Sequence, residues 1–245
     1  ARILDRPAWL DSARRALDFI HAALRRDGRL LAVYKDGRAR LDAYLDDYAF
    51  LLAAPLEAMQ TRFVATDLAW AVELADALLE RFEDAADGGF YFTAHDHEAL
   101  VHRPKPAFDN ALPAGNGVVA CALQRLGHLL GETRYLDAAA RTLRLFQPQL
   151  AHPGSASFLD ALAEALAPPA IVLLRGPAEG VADWQQRLTQ QWNGLCLALP
   201  NGLDLPAALA KPESDRVNAW LCSGVTCLPP IAEFDELRQL ILLRR

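Results

Sequence analysis

The residues whose types could carry chemistry stand at the edges of apolar helical patterns. Asp46 and Asp47 lie side by side where one such pattern begins, and Asp109 precedes the Pro113-Ala114-Gly115-Asn116 turn that opens another. Two carboxyls in matching places could flank a glycosidic bond as acid and base or nucleophile, provided they sit roughly 5–10 Å apart. The plain alternative for Asp46 and Asp47 is helix capping, with a charge–dipole contribution of about 0.3–1 kcal/mol. His95, His97 and His102 are base candidates by residue type. His95 and His97 flank Asp96 and read as the tip of a surface hairpin, since no further ligand is spaced to complete a metal site. His102, followed by Arg103 and Lys105, could face an anionic ligand. The catalytic candidates are therefore Asp46, Asp47, Asp109 and His102. The ligand-binding candidates are Tyr48, Arg103, Lys105 and Asn116, and neither metal nor cofactor is expected.

Two further motifs leave alternatives open. Gly115-Asn116-Gly117 at a helix start could offer backbone donors to a ligand, but a tight turn with Asn116 as cap is preferred. Cys222 and Cys227 could bind metal or form a disulfide. They lack the C-x-x-C spacing and the second ligand pair of a zinc site, so reduced or structural thiols are the expectation. No stretch has the G-x-G-x-x-G pattern of a dinucleotide site.

Helices must position these groups. Trp9, Ala13, Ala16, Leu17, Ile20 and Leu24 recur at helical steps, and Asp27-Gly28 should stop that helix. Leu30 to Tyr34 reads as a short strand. A second helix from Tyr44 carries Leu45, Tyr48, Leu52, Leu56, Met59 and Phe63 on one side, with a kink expected at Pro55. Leu68, Val72, Ala75, Leu79 and Phe82 mark a third, Asp87-Gly88-Gly89 ends it, and Phe90 to Thr93 reads as strand. Further helices follow from about Asn116, from Tyr135 to Phe146 and from Ser155 to Leu166. Asp27-Gly28 and Asp87-Gly88 are 60 residues apart, Asp47 and Gly115 are 68 apart, and a third copy begins at Tyr135. Repeated helical hairpins of this length indicate a toroid or solenoid of helix pairs. After Pro168-Pro169 strands alternate with helices, which suggests a small α/β unit. The expected fold is thus mainly α: a partial (α/α)6 toroid over residues 1–167, then an α/β subdomain over 168–245.

Composition narrows the classes. The 245 residues are 52% apolar and 23% charged, with net charge −6, as in a globular protein with a sizeable core. The most basic stretches, Arg25-Arg26 and Arg244-Arg245, read as solvated helix ends, so nucleic acid is not an expected partner. No apolar run is long enough for a membrane span. Four cysteines without a secretion signal suit a reducing cytoplasm. Ala1 opens almost directly on an amphipathic helix, as in a piece of a longer chain.

Taken in order, Asp27-Gly-Arg-Leu-Leu, Leu45-Asp-Asp-Tyr-Ala, Asp87-Gly-Gly-Phe-Tyr-Phe, Arg103-Pro-Lys, Asp109-Asn-Ala-Leu-Pro-Ala-Gly-Asn and Cys222-x4-Cys227-Leu-Pro-Pro resemble the thioredoxin-domain-containing, spermatogenesis-associated protein family. The resemblance implies a longer parent with an N-terminal thioredoxin-like domain and an (α/α)6 barrel similar to six-hairpin glycosidases and sugar 2-epimerases. This chain would be the second half of that barrel plus its α/β tail. The family's Tyr-Asp-Gly-Ala-x-Pro-Ser-Gly-Asn-Ser reads here Phe108-Asp-Asn-Ala-Leu-Pro-Ala-Gly-Asn-Gly117, without the phenol and both hydroxyls.

The leading expectation is therefore a carbohydrate-active-like domain that binds, isomerises or hydrolyses a sugar. The competing one is a non-catalytic binding or scaffold module for the thioredoxin-like domain, and a third, ranked below both, is a redox role for the Cys222/Cys227 pair. The sugar reading requires Asp46 or Asp47 to share one concave pocket, with an aromatic floor, with Asp109. Side chains that only cap helices favour the scaffold. Half a toroid would also expose an apolar helical flank, to be covered by the missing part or by a second copy.

Overall fold

The structure, a computed structural model, describes residues 4 and 6–243 apart from 193 and 225. Ala1 and the Arg244-Arg245 end lie outside the described residues. Helix α1 (Pro7–Ala23) leads into an antiparallel meander of β1 (Arg25–Arg26), β2 (Arg29–Lys35) and β3 (Arg38–Asp42). Asp27-Gly28 does not stop α1, which ends earlier; it turns the β1–β2 hairpin, as Asp36-Gly37 turns β2–β3. These four residues have φ of 51°, 74°, 53° and 74°. Two successive left-handed residues match the twist of a two-residue hairpin, which Asp-Gly accepts readily. Strand β3 is mostly exposed; Ala39 and Leu41 alternate with charged residues, a strand signal absent from the elements expected above.

Next come α2 (Leu45–Met59) and α3 (Ala65–Arg81). Helix α2 runs through Pro55 without a break, and Leu45, Tyr48, Leu52, Leu56, Met59 and Phe63 are all buried, as their spacing predicts. Arg14 of α1 makes a two-bonded, buried ion pair with Asp67 of α3, tying the first helix down. Residues 82–114 then form a long excursion. Its regular pairing is a single bridge, Glu83 to Phe90, so the strand expected over Phe90 to Thr93 does not form. Helices α4 (Gly115–Leu130), α5 (Thr133–Phe146) and α6 (Ala156–Leu166) complete this part.

Helix α4 packs against α2, α5 and α6, while α3 packs on α2. The helices α2, α4 and α6 are thus successive neighbours in one row, and each of the two long excursions precedes a member of it.

Beyond residue 168 come β4 (Ile171–Gly176), α7 (Ala178–Thr189), β5 (Leu195–Pro200), β6 (Asn218–Ser223), β7 (Thr226–Cys227) and α8 (Phe234–Leu242). The sheet order is β5-β4-β6-β7, with β4 and β5 parallel through the α7 crossover and the other pairs antiparallel. Val172, Leu174, Cys196 and Leu221 face α7 and α8. Ile171, Leu173, Leu197 and Trp220 point the other way and join the core of the helical row. Burial on both faces explains why β4 reads as an unbroken apolar run. Gln185 of α7 reinforces the join by donating to the carbonyls of Gln60 (2.8 Å) and Cys196 (3.2 Å).

Cys222 and Cys227, opposite each other on β6 and β7, are joined by a disulfide, the alternative to the expected reduced or structural thiols. Among the described residues no helix is long and apolar enough to cross a membrane.

Candidate functional site

The first turns of α2, α4 and α6 meet at one end of the row, and the glycines of α4 allow it. A Cβ on Gly115 would overlap Oδ1 of Asp46 and lie 3.2 Å from Leu45 Cγ. A Cβ on Gly117 would overlap the Ser157 hydroxyl and lie 2.7 Å from its Cβ and 2.9 Å from its backbone carbon. Between them Asn116 is fully buried. Its Oδ1 accepts from the Phe90 N–H (2.7 Å), and its Nδ2 donates to the carbonyls of Phe90 (2.9 Å) and Pro106 (3.1 Å). Asn116 therefore neither caps α4 nor faces a ligand; it clamps the excursion.

The three aspartates part company here. Asp47 accepts from the Tyr44 N–H at 2.8 Å and caps α2. Asp46 is half-buried against the first turn of α4. Burial raises its pKa and the neighbouring Asp47 adds to the rise, while the Gly115 N–H works against it. Among the described residues its Oδ1 has no partner of good hydrogen-bond geometry. Asp109 is the opposite case. It accepts from the Ala114 N–H (2.8 Å), the Ser157 hydroxyl (2.5 Å) and the Ser157 N–H (2.9 Å). Burial pushes its pKa up, but these bonds and one from the Ala156 N–H overcome it, so the carboxyl stays below the ordinary value. Asp109 thus ties the start of α4 to the start of α6.

The remaining candidates also hold the fold. The Tyr48 hydroxyl accepts from the Leu30 N–H at 3.0 Å. Arg103 lies over the Tyr91 ring, 4.2 Å from its centroid, and donates to the Thr93 carbonyl at 2.6 Å. Lys105 donates to Asp84 (2.8 Å) and to the Gly88 carbonyl (2.7 Å). Lys105, the Tyr91 hydroxyl and the Asp87 N–H hold Asp84 far below the usual carboxylate range. His102 is exposed and has no hydrogen-bond partner among the described residues. His95 lies 3.3 Å from the Arg81 carbonyl, whereas His97 accepts from the Ala94 N–H (2.9 Å) and stacks on Tyr44. The two histidines do not converge, and no metal-holding group of side chains occurs among the described residues.

Two cavities border these groups. A concave one of about 310 Å³ lies between α2, α4 and α6, with Asp109, Ser157, Asp160, Arg125, Cys121 and Leu56 on its wall and no aromatic ring. Burial pushes the Cys121 thiol up to about 12, so it is no nucleophile at neutral pH. Arg125 is held by Glu164, at 3.0 and 2.5 Å. The periodicity of α4 and α6 assigns Asp160 and Arg125 no role; the available signal was a charge inside an otherwise apolar stripe. The other cavity is an apolar groove of about 640 Å³ between α1, α2 and β2, walled by Trp9, Leu17, Ile20, Leu31 and Leu51, with Asp47 on its rim. Asp47 and Asp109 therefore border different cavities, and Asp46 borders neither.

No family model matches the chain. It is similar to uncharacterized protein B0495.5 of Caenorhabditis elegans, 25% identical over 259 residues that take in 95% of this chain and 34% of that protein. It is also similar to spermatogenesis-associated protein 20 of Homo sapiens, 27% identical over 81% of this chain and 27% of that protein. The same protein of Rattus norvegicus is 31% identical over 108 residues, 44% of this chain and 14% of its own length. The chain spans about a third or less of the length of the curated relatives it matches.

Proposed function

We propose that this chain is a non-catalytic binding and scaffold module, built of helical hairpins of the (α/α)6 toroid type with an α/β tail. One observation carries the reading. Asp109 and Asn116 have their polar atoms, and Asp47 one carboxylate oxygen, engaged in holding helix ends and loops, and Asp47 and Asp109 border different cavities. General acid–base work needs a carboxyl within reach of a substrate proton, and a glycosidase needs two of them on one cleft. The toroid type is supported by the row α2-α4-α6 and by the long excursion before each of its first two members. Likeness of fold says nothing by itself about chemistry. The partner in this reading is the rest of a longer parent, of which the thioredoxin-like domain is what the sequence resemblance implies. The apolar groove between α1 and α2 supports a partner surface.

A second reading keeps a sugar ligand on the concave cavity, and the placing of Asp160, Asp109 and Ser157 around that cavity favours it. Titration calorimetry with neutral hexoses, N-acetylhexosamines and uronic acids separates the two. The scaffold reading expects no heat of binding at millimolar sugar. Saturable binding that Asp160→Asn abolishes would overturn it in favour of the second.

A further inference from the structure

The hairpin that ends the second sheet gathers groups for which the scaffold has no use. The disulfide between Cys222 and Cys227 borders a cavity of about 130 Å³, whose wall also carries His128 of α4, Lys211 and Gly224. The titratable groups described on that wall are His128 and Lys211. Cys222 is 3% exposed and Cys227 is only partly buried, so Cys227 is the sulfur an incoming molecule reaches first. Lys211 Nζ lies 3.7 Å from Cys227 Sγ and 6.0 Å from the centroid of the Trp220 ring. Among the described residues Lys211 forms no ion pair with a carboxylate.

His128 completes the group. Its Nδ1 is buried without a hydrogen-bond partner among the described residues, and a Cβ on Gly224, in the turn between the two cysteines, would lie 3.7 Å from it. Burial lowers the His128 pKa below its ordinary value, which keeps the ring a neutral proton acceptor at pH 7. As a structural staple the bridge is weak: it links residues only 5 apart, and a short loop constrains the unfolded chain less than a long one.

We propose that Cys222 and Cys227 form a thiol–disulfide exchange site for an external dithiol, with Cys227 as the sulfur attacked and Lys211 steadying its thiolate. In the reductive direction a thiolate of the dithiol attacks Cys227 Sγ. The Cys222–Cys227 bond breaks, its electron pair goes to Cys222 Sγ, and Cys222 takes up a proton from solvent, relayed by His128. The second thiol of the reductant loses its proton to solvent and attacks the reductant sulfur of the mixed disulfide. Cys227 then leaves as a thiolate beside the Lys211 ammonium, where an adjacent positive charge favours it. Two electrons have passed to the protein, and the dithiol has become a disulfide. The reverse steps oxidise the pair, with His128 accepting the Cys222 proton.

The test uses the intact chain under native conditions, treated with dithiothreitol or reduced glutathione and then alkylated, with labelled cysteines counted by peptide mass. Cys222 and Cys227 are expected to become labelled together with dithiothreitol and to close again in oxidised glutathione. In the reduced protein Cys227 should alkylate faster than Cys222 at pH 7. Lys211→Met should slow Cys227 by roughly three- to tenfold, since a rise of one pKa unit removes about nine-tenths of the thiolate, and Lys211→Arg should keep the rate. A bridge that yields only after denaturation, or a Cys227 rate that Lys211→Met leaves unchanged, overturns the proposal. Should Lys211→Met fail to fold, the Cys222→Ser variant supplies the reading. Its Cys227 alkylation profile must turn over below the ordinary thiol value of about 8.5, and a turnover at or above that value also overturns the proposal.

Discussion

Asn116 holds both backbone polar groups of Phe90, a residue 26 positions earlier, at 2.7 and 2.9 Å inside a fully buried site. Phe90 begins the stretch that pairs with Glu83 and leads through Phe92, whose carbonyl accepts from the Leu45 N–H at 3.0 Å, to the start of α2. The amide thus fastens the excursion to α4, and the Phe92 carbonyl fastens it to α2. A buried donor or acceptor left unmade costs about 1–3 kcal/mol. Asn116→Ala leaves three such groups, and urea unfolding should lose roughly 2–4 kcal/mol. A loss below about 0.5 kcal/mol, the ordinary surface range, would remove Asn116 from this role.

Replacing a helical glycine by alanine ordinarily gains about 1 kcal/mol. At Gly117 the sign should reverse, because the new methyl meets the Cβ and the backbone carbon of Ser157, at 2.7 and 2.9 Å, and neither can swing away. Gly115→Ala meets the end of the Asp46 side chain instead, so Asp46→Ala should recover part of its loss. Thermal melts of the two single variants and of the Gly115/Asp46 double variant check both statements. A Gly117→Ala protein more stable than the parent refutes the close approach of α4 and α6.

Asp46 and Asp109 should respond oppositely to pH. The folded pKa of Asp109 is lowered, so its contribution is full above the unfolded value of about 3.9 and is lost as pH falls through the folded value. The folded pKa of Asp46 is raised, so its contribution is full below the unfolded value and is lost as pH rises through the folded one. At pH 7, Asp46→Asn should therefore stabilise the protein. Asp109→Asn should destabilise it by roughly 1–3 kcal/mol, for charge-assisted bonds to a partly buried acceptor. Urea midpoints from pH 3 to 7 read both signs, and a loss of stability in Asp46→Asn at pH 7 contradicts the first.

The apolar groove between α1 and α2 is wide enough to need cover. Light scattering of the chain alone should give a mass above the 26.9 kDa of one copy. Phe50→Asp, on the wall of that groove, should return it to that mass. A monodisperse single copy for the unsubstituted chain counts against a partner surface there.

Much of the helical framework is legible in the sequence because its causes are local. Leu45, Tyr48, Leu52, Leu56 and Met59 share a face through a spacing of three and four residues, whatever they pack against. The apolar run of β4 likewise announces a strand buried on both sides. Strand β3 was harder to read, since Ala39 and Leu41 alternate with charged residues but Leu41 is itself exposed and no apolar face is buried, and the Asp27-Gly28 turn serves a hairpin as well as a helix end.

The functional meaning of the polar residues belonged to the tertiary structure. Asp109 looks like an available carboxyl until Ser157, 48 residues on, donates to it. Gly115 and Gly117 look like a ligand-binding turn until Asp46 and Ser157 fill the space beside them. Asp46 and Asp47 are neighbours in the chain, yet adjacent helical positions point about 100° apart, toward α4 and toward the α1 groove. Side-chain type is inscribed residue by residue, but what a carboxylate faces depends on partners brought close only when distant helices pack.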